Sequence, residues 1–84
     1  MKLGKKAVQI IRGVEYELTR EEVLRTAERL VPEPIKHWYV EIERKTFPPK
    51  QIISEALKLE RLDFTTDDAK RFLEKLQFQL GRIP

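Results

Sequence analysis

Two consecutive prolines, Pro48 and Pro49, constrain this chain more than any other feature. Neither carries a backbone N–H, so neither can donate to a β ladder. Both suit the entry to a helix, where the first amides have no intrahelical partner to lose. The segment around them therefore reads as strand, tight turn, short strand, then helix. Trp38, Val40 and Ile42 fall on one face of the first strand, with Tyr39, Glu41 and Glu43 on the other. Glu43 to Thr46 must turn the chain without a glycine, which calls for a type I turn or a bulged loop. Phe47 continues the pairing. Ile52, Ile53, Ala56 and Leu57 then form the buried stripe of the helix, and Leu59 is a candidate to extend it.

The same outline precedes it. Val8 and Ile10, then Val14, Tyr16 and Leu18, alternate with polar residues around Arg12-Gly13, which predicts a β-hairpin with Gly13 at positive φ. Thr19 to Glu22 fits a capping box. Val23, Leu24, Ala27, Leu30 and Val31 follow at helical spacing until Pro32 and Pro34. The units 8–31 and 38–59 resemble each other in outline, though their residues do not match closely. Thr65 or Thr66 caps a last helix with Asp67 and Asp68 in its first turn and Ala69, Phe72, Leu73 and Leu76 as its core face. Phe78 and Leu80 alternate with Gln77 and Gln79 as a short closing strand.

The expected fold is α+β in the order ββα-ββαα-β, a small antiparallel sheet packed against about three helices. Its 84 residues make one small domain, with residues 1–6 as a flexible basic N-terminus. The expected core is Val23, Leu24, Ala27, Leu30, Trp38, Val40, Ile42, Ile53, Leu57, Phe72, Leu73 and Leu76.

Composition removes several chemistries. There is no cysteine for disulfides or thiolate zinc sites, and His37 is the single histidine. With three glycines there is no glycine-rich phosphate loop. Nothing resembles a signal peptide or a membrane span, so a cytoplasmic location is expected. Charged residues form 37% of the chain and asparagine is absent, a composition that resembles a thermophile's. The net charge of +3 is modest, but it is unevenly placed. Lys2, Lys5, Lys6 and Arg12 open the chain, and Lys36, Arg44, Lys45, Lys50, Lys58 and Arg61 make residues 36–62 basic again.

Lys50 is the most informative of these. A cation in a helix's first turn opposes the dipole, and it makes sense if lysine and helix amides serve one phosphate. Arg44 and Lys45 in the preceding turn can flank that anion, Thr46 adds a hydroxyl and Tyr39 an aromatic surface. Read otherwise, Lys50 is a solvated residue whose stem covers apolar surface. Glu41 and Glu43 read as ordinary cross-strand pairs rather than an acid–base couple. Neither His37 nor Ser54 has a companion that would make it a nucleophile or base. No catalytic, metal or cofactor site is expected.

Tyr39 to Phe78 resembles the N-terminal head domain of ScoMcrA-type modification-dependent restriction endonucleases. The shared elements are the aromatic strand WYVEI, the step FPPK opening an alanine-bearing helix, and FTTDDAKRFLEKLQF. The head domains carry a glycine pair where Thr65 and Thr66 stand, and single glycines where Arg44 and Gln77 stand. With no nuclease domain in these residues, the resemblance implies a DNA-associated recognition module and not cleavage. The function expected is thus a small non-enzymatic DNA-binding module, contacting phosphates through the basic strand turn and helix N-terminus. The alternative is a homodimeric protein-interaction module. DNA and a second copy of the chain are the partners expected, with no membrane and no small-molecule substrate.

Overall fold

A computed structural model describes residues 6–84. It is an α+β fold in the expected order ββα-ββαα-β. Strands β1 (Lys6–Ile11) and β2 (Val14–Thr19) form one antiparallel hairpin, followed by helix α1 (Arg20–Glu28). Strands β3 (Trp38–Ile42) and β4 (Lys45–Phe47) form a second hairpin, followed by α2 (Pro49–Leu57). A 3-10 turn (Arg61–Asp63), α3 (Thr66–Lys75) and β5 (Gln79–Arg82) complete the chain. The hairpins stay in separate sheets, because β5 returns to pair with β3 and gives the order β4-β3-β5.

Residues 1–5 of the expected flexible tail lie outside the described residues. Lys6, assigned to that tail from sequence, opens β1 instead. It pairs with Thr19 in register and its ammonium meets Glu17 at 2.8 Å.

Hairpin geometry decides which face of β1 is buried and corrects one expected turn. A two-residue turn at Arg12-Gly13 pairs Ile11 with Val14, so Ala7, Gln9 and Ile11 share a face with Tyr16 and Leu18. Leu18 is buried, which takes that face inward and turns Val8 and Ile10 outward at 38% and 66% exposure. The second turn is not type I. Glu43 and Arg44 have φ of 52° and 70°, the signature of a type I′ turn, whose twist suits two tightly paired strands. Charged residues here hold a conformation that asparagine and glycine usually take.

Two capping boxes start α1 and α3. Thr19 and Glu22 exchange bonds of 3.1 and 2.8 Å, and Thr65 and Asp68 exchange bonds of 3.1 and 3.0 Å. Arg20 caps the other end of α3, donating to the carbonyls of Leu76 and Gln77 while its guanidinium lies 4.1 Å from the Phe78 ring. One cluster joins both sheets and all three helices, with Phe47, Ile52, Phe72, Leu73 and Leu76 fully buried. Of the expected core, Leu24, Leu30 and Leu57 are partly buried and pack against the cluster. Trp38 is not a member. At the first residue of β3 it extends past the hydrophobic cover and is only half-buried.

The α1–β3 connection is held by a buried amide. Gln51 Nε2 donates to the Val31 carbonyl at 2.9 Å, and its Oε1 accepts from the Glu33 amide at 3.0 Å. Among the described residues no helix is long and apolar enough to cross a membrane.

Candidate nucleic-acid interface

The base of the second hairpin opens into a cleft of about 590 Å³. Trp38, Pro48 and Pro49 give it apolar surface. Lys36 and His37 reach it from the α1–β3 connection, Lys50 from α2, Arg61 from the 3-10 turn and Arg82 from β5.

Trp38 is surrounded by cations. Lys70 Nζ, on α3, stands 3.4 Å from its ring centroid. Arg82, directly opposite Trp38 in the β3–β5 register, holds its guanidinium 5.6 Å away. Both distances lie within cation–π range. The stem of Lys70 is largely covered, so methylenes and ammonium together shield part of the indole.

Glu33 and Asp67 also border the cleft, but both are engaged. Arg61 donates two hydrogen bonds to the Glu33 carboxylate, at 2.6 and 2.8 Å, and Asp67 lies 3.5 Å from Lys70. The hydrogen bonds from Arg61 hold the Glu33 pKa below its ordinary value, against the opposing effect of burial. Lys36, Lys50 and Arg82 have no carboxylate within 4.0 Å among the described residues. The cleft therefore carries excess positive charge beside an aromatic ring.

The residues named from sequence do not gather at one point. Lys50 lines the cleft, and its Nζ lies 5.1 Å from the ring of buried Phe64. Its stem thus covers apolar surface while its charge borders the opening. Arg44 sits in the turn at the far end of the hairpin, and Lys45 begins β4 there. At about 3.3 Å per strand residue, roughly 10 Å separates Lys45 from Pro48 along the strand. Lys45 instead borders a smaller hollow of about 240 Å³ beside Ala27 and Ile42. Tyr39 and Thr46 alternate onto the opposite sheet face from Val40 and Phe47, where Tyr39 lies across Gly81. A single anion cannot be shared by all five residues.

The start of α2 offers little backbone to an anion. Pro48 and Pro49 have no N–H, and the Gln51 amide bonds the Pro48 carbonyl at 3.0 Å. Of the four positions where helix amides go unpaired, only Lys50 keeps an uncommitted donor. Charge at this site must come from side chains. The Thr65–Asp68 box likewise closes the start of α3 to anions, with carboxylates in its first turn.

Sequence reasoning placed Trp38 in the core and Lys36 and Arg61 in a basic stretch, and did not join them with Lys70 and Arg82 into one site. The run Lys36-His37-Trp38 was a local signal, since a strand's first residue is easily left uncovered. Arg61, Lys70 and Arg82 lie on separate elements, and only tertiary packing joins them to it.

Residues 8–84 match the SCO5918-like family model, and the chain belongs to that family. Nothing in the match ties it to the endonuclease head domains. No curated protein and no solved structure matches the chain.

Proposed function

We propose that this member of the SCO5918-like family is a small non-enzymatic DNA-binding module whose contact surface is the cleft at Trp38, not the hairpin turn. The observation that carries the reading is the indole of Trp38 beside Lys70 and Arg82, in a cleft where Lys36, Lys50 and Arg82 lack acidic partners among the described residues. Basic side chains neutralise phosphates, and the part of an aromatic ring left uncovered takes bases without regard to sequence.

The positions at which this chain departs from the head-domain pattern have backbone demands of their own. Two positions where those domains carry glycine are Arg44 and Gln77, and here they have φ of 70° and 65°. Glycine reaches that region without strain, and here an arginine and a glutamine adopt it instead. The third departure, Thr65-Thr66, replaces a glycine pair with a capping box and leaves no second anion site there.

The test is a titration with fluorescent DNA at two salt concentrations. Affinity that falls steeply with salt, and that weakens with Lys50→Ala and Lys36→Ala but not with Lys45→Ala, supports the cleft. No binding at low salt removes the reading.

A second reading, a homodimeric interaction module, rests on the outward row of Val8 and Ile10 on the first hairpin. Apolar side chains in a row on a two-stranded sheet favour cover by another surface. Sedimentation at micromolar concentration tests it. A 10 kDa species alone removes it.

A further inference from the structure

We infer that the DNA taken by this cleft is single-stranded, with one unpaired base against Trp38 and the flanking phosphates at Lys50 and Arg82. The inference rests on the DNA-binding reading above and narrows its ligand.

Shape is the first reason. Trp38 lines a concavity, with Lys36, Lys50 and Arg82 around it. A duplex is read by an element that projects into a groove, or is held by cations on an open face. Its stacked bases cannot leave the helix axis to reach a recessed ring without unpairing. A single strand can splay one base inward and keep its backbone at the rim. A volume of about 590 Å³ is within the size range of clefts that enclose small ligands, so one nucleotide fits.

The distribution of polarity is the second reason. The apolar surface comes from Trp38, Pro48 and Pro49, with cations beside it. A site that only neutralised phosphates would gain nothing from an aromatic and two prolines. A base and sugar between phosphates need that alternation. Lys70 shields part of the indole and is itself tied to Asp67. The ring is therefore held in place before any ligand arrives, and the portion that lines the cleft is the portion a base can cover.

Trp38 is the only tryptophan in the chain, so intrinsic fluorescence reports this contact alone. The experiment titrates the protein at low salt with a single strand of about twelve thymines, a mixed-sequence duplex of equal length and free thymidine monophosphate. Fluorescence and anisotropy are both read. The expected result is quenching of Trp38 by the single strand, at least tenfold tighter binding than the duplex, and no quenching by the mononucleotide at the same base concentration. Trp38→Phe keeps binding within about threefold, because a phenyl ring still stacks. Trp38→Leu, which keeps apolar volume without a π-face, weakens it by about fivefold to a hundredfold. Thermal melting confirms that both variants fold, and if the leucine variant does not, quenching of the unmodified protein decides.

Duplex binding as tight as single-strand binding, without quenching, overturns the inference and leaves the DNA-binding reading standing. Equal quenching by thymidine monophosphate overturns it in favour of a nucleotide pocket. Binding to none of the three removes the DNA-binding reading and the inference with it.

Discussion

The ring of Tyr39 occupies the place where a side chain on Gly81 would begin. A Cβ built on Gly81 would lie 2.3 Å from Cζ and from Oη of Tyr39. The two residues are directly opposed in the β3–β5 pairing, and the aromatic covers a glycine that would otherwise weaken the strand. Gly81→Ala should destabilise the fold by about 1 kcal/mol, because the ring must swing off the sheet. In a Tyr39→Ala background the sign should reverse, with Gly81→Ala adding roughly 0.5 kcal/mol through the less flexible unfolded chain. Urea unfolding of the four proteins checks this. Equal effects in both backgrounds would show that the contact is not what requires glycine.

Leu73 is fully buried on α3 between both sheets' contributions to the core. Leu73→Ala should cost about 2–5 kcal/mol. A change below about 0.5 kcal/mol in denaturant unfolding would contradict the packing of α3.

The turn residue Arg44 holds φ of 70°. Relief of that left-handed strain by Arg44→Gly, less glycine's extra unfolded-state entropy, should leave a net gain of up to about 1 kcal/mol. The same substitution removes a cation from the hairpin tip. Salt-dependent DNA affinity should be unchanged if the cleft is the interface, whereas abolished binding would return Arg44 to it.

Removing one phosphate-neutralising side chain from the cleft should lower the magnitude of the log–log salt slope by about 0.7 on a single strand or about 0.9 on a duplex. Lys50→Ala should therefore show a smaller slope than the unmodified protein, and Lys45→Ala the same slope. Lys75, by contrast, has a structural part: its ammonium donates to the Val8 carbonyl at 2.9 Å and ties α3 to β1. Equal slopes for Lys50→Ala and Lys45→Ala would remove Lys50 from the site.

Glu33 ties the cleft wall to Arg61, and those hydrogen bonds depress its pKa. A depressed carboxylate stabilises the fold above its unfolded value, about 4.3, and that contribution disappears as pH falls through the lower folded value. The pair is well exposed, so its worth is under about 1 kcal/mol. Glu33→Gln should be slightly less stable than the unmodified protein at pH 7, and the difference should vanish in acid. Thermal melts at pH 7 and pH 3 check the direction. A difference that grows toward acid would contradict the pairing.

Local rules in the sequence determined the elements and their order. Pro48-Pro49 set the strand-to-helix junction, Thr19 and Glu22 the start of α1, and the spacing of Ala69, Phe72, Leu73 and Leu76 the buried face of α3. Each depends on residues within one or two turns, which is why each was legible. What only the tertiary structure decided was which surfaces met. Period-two alternation in β1 allows either face to turn inward, and Leu18 across a two-residue turn made the choice against Val8 and Ile10. Trp38 reads as core by alternation, yet a strand's first residue is covered only if another element reaches it, and here cationic side chains from α3 and β5 do so. The hairpin that puts Arg44 and Lys50 near each other in sequence sends them to opposite ends in space. Charge at the cleft is assembled from the α1–β3 connection, α2, the 3-10 turn, α3 and β5, and no local pattern encodes contacts between segments that distant.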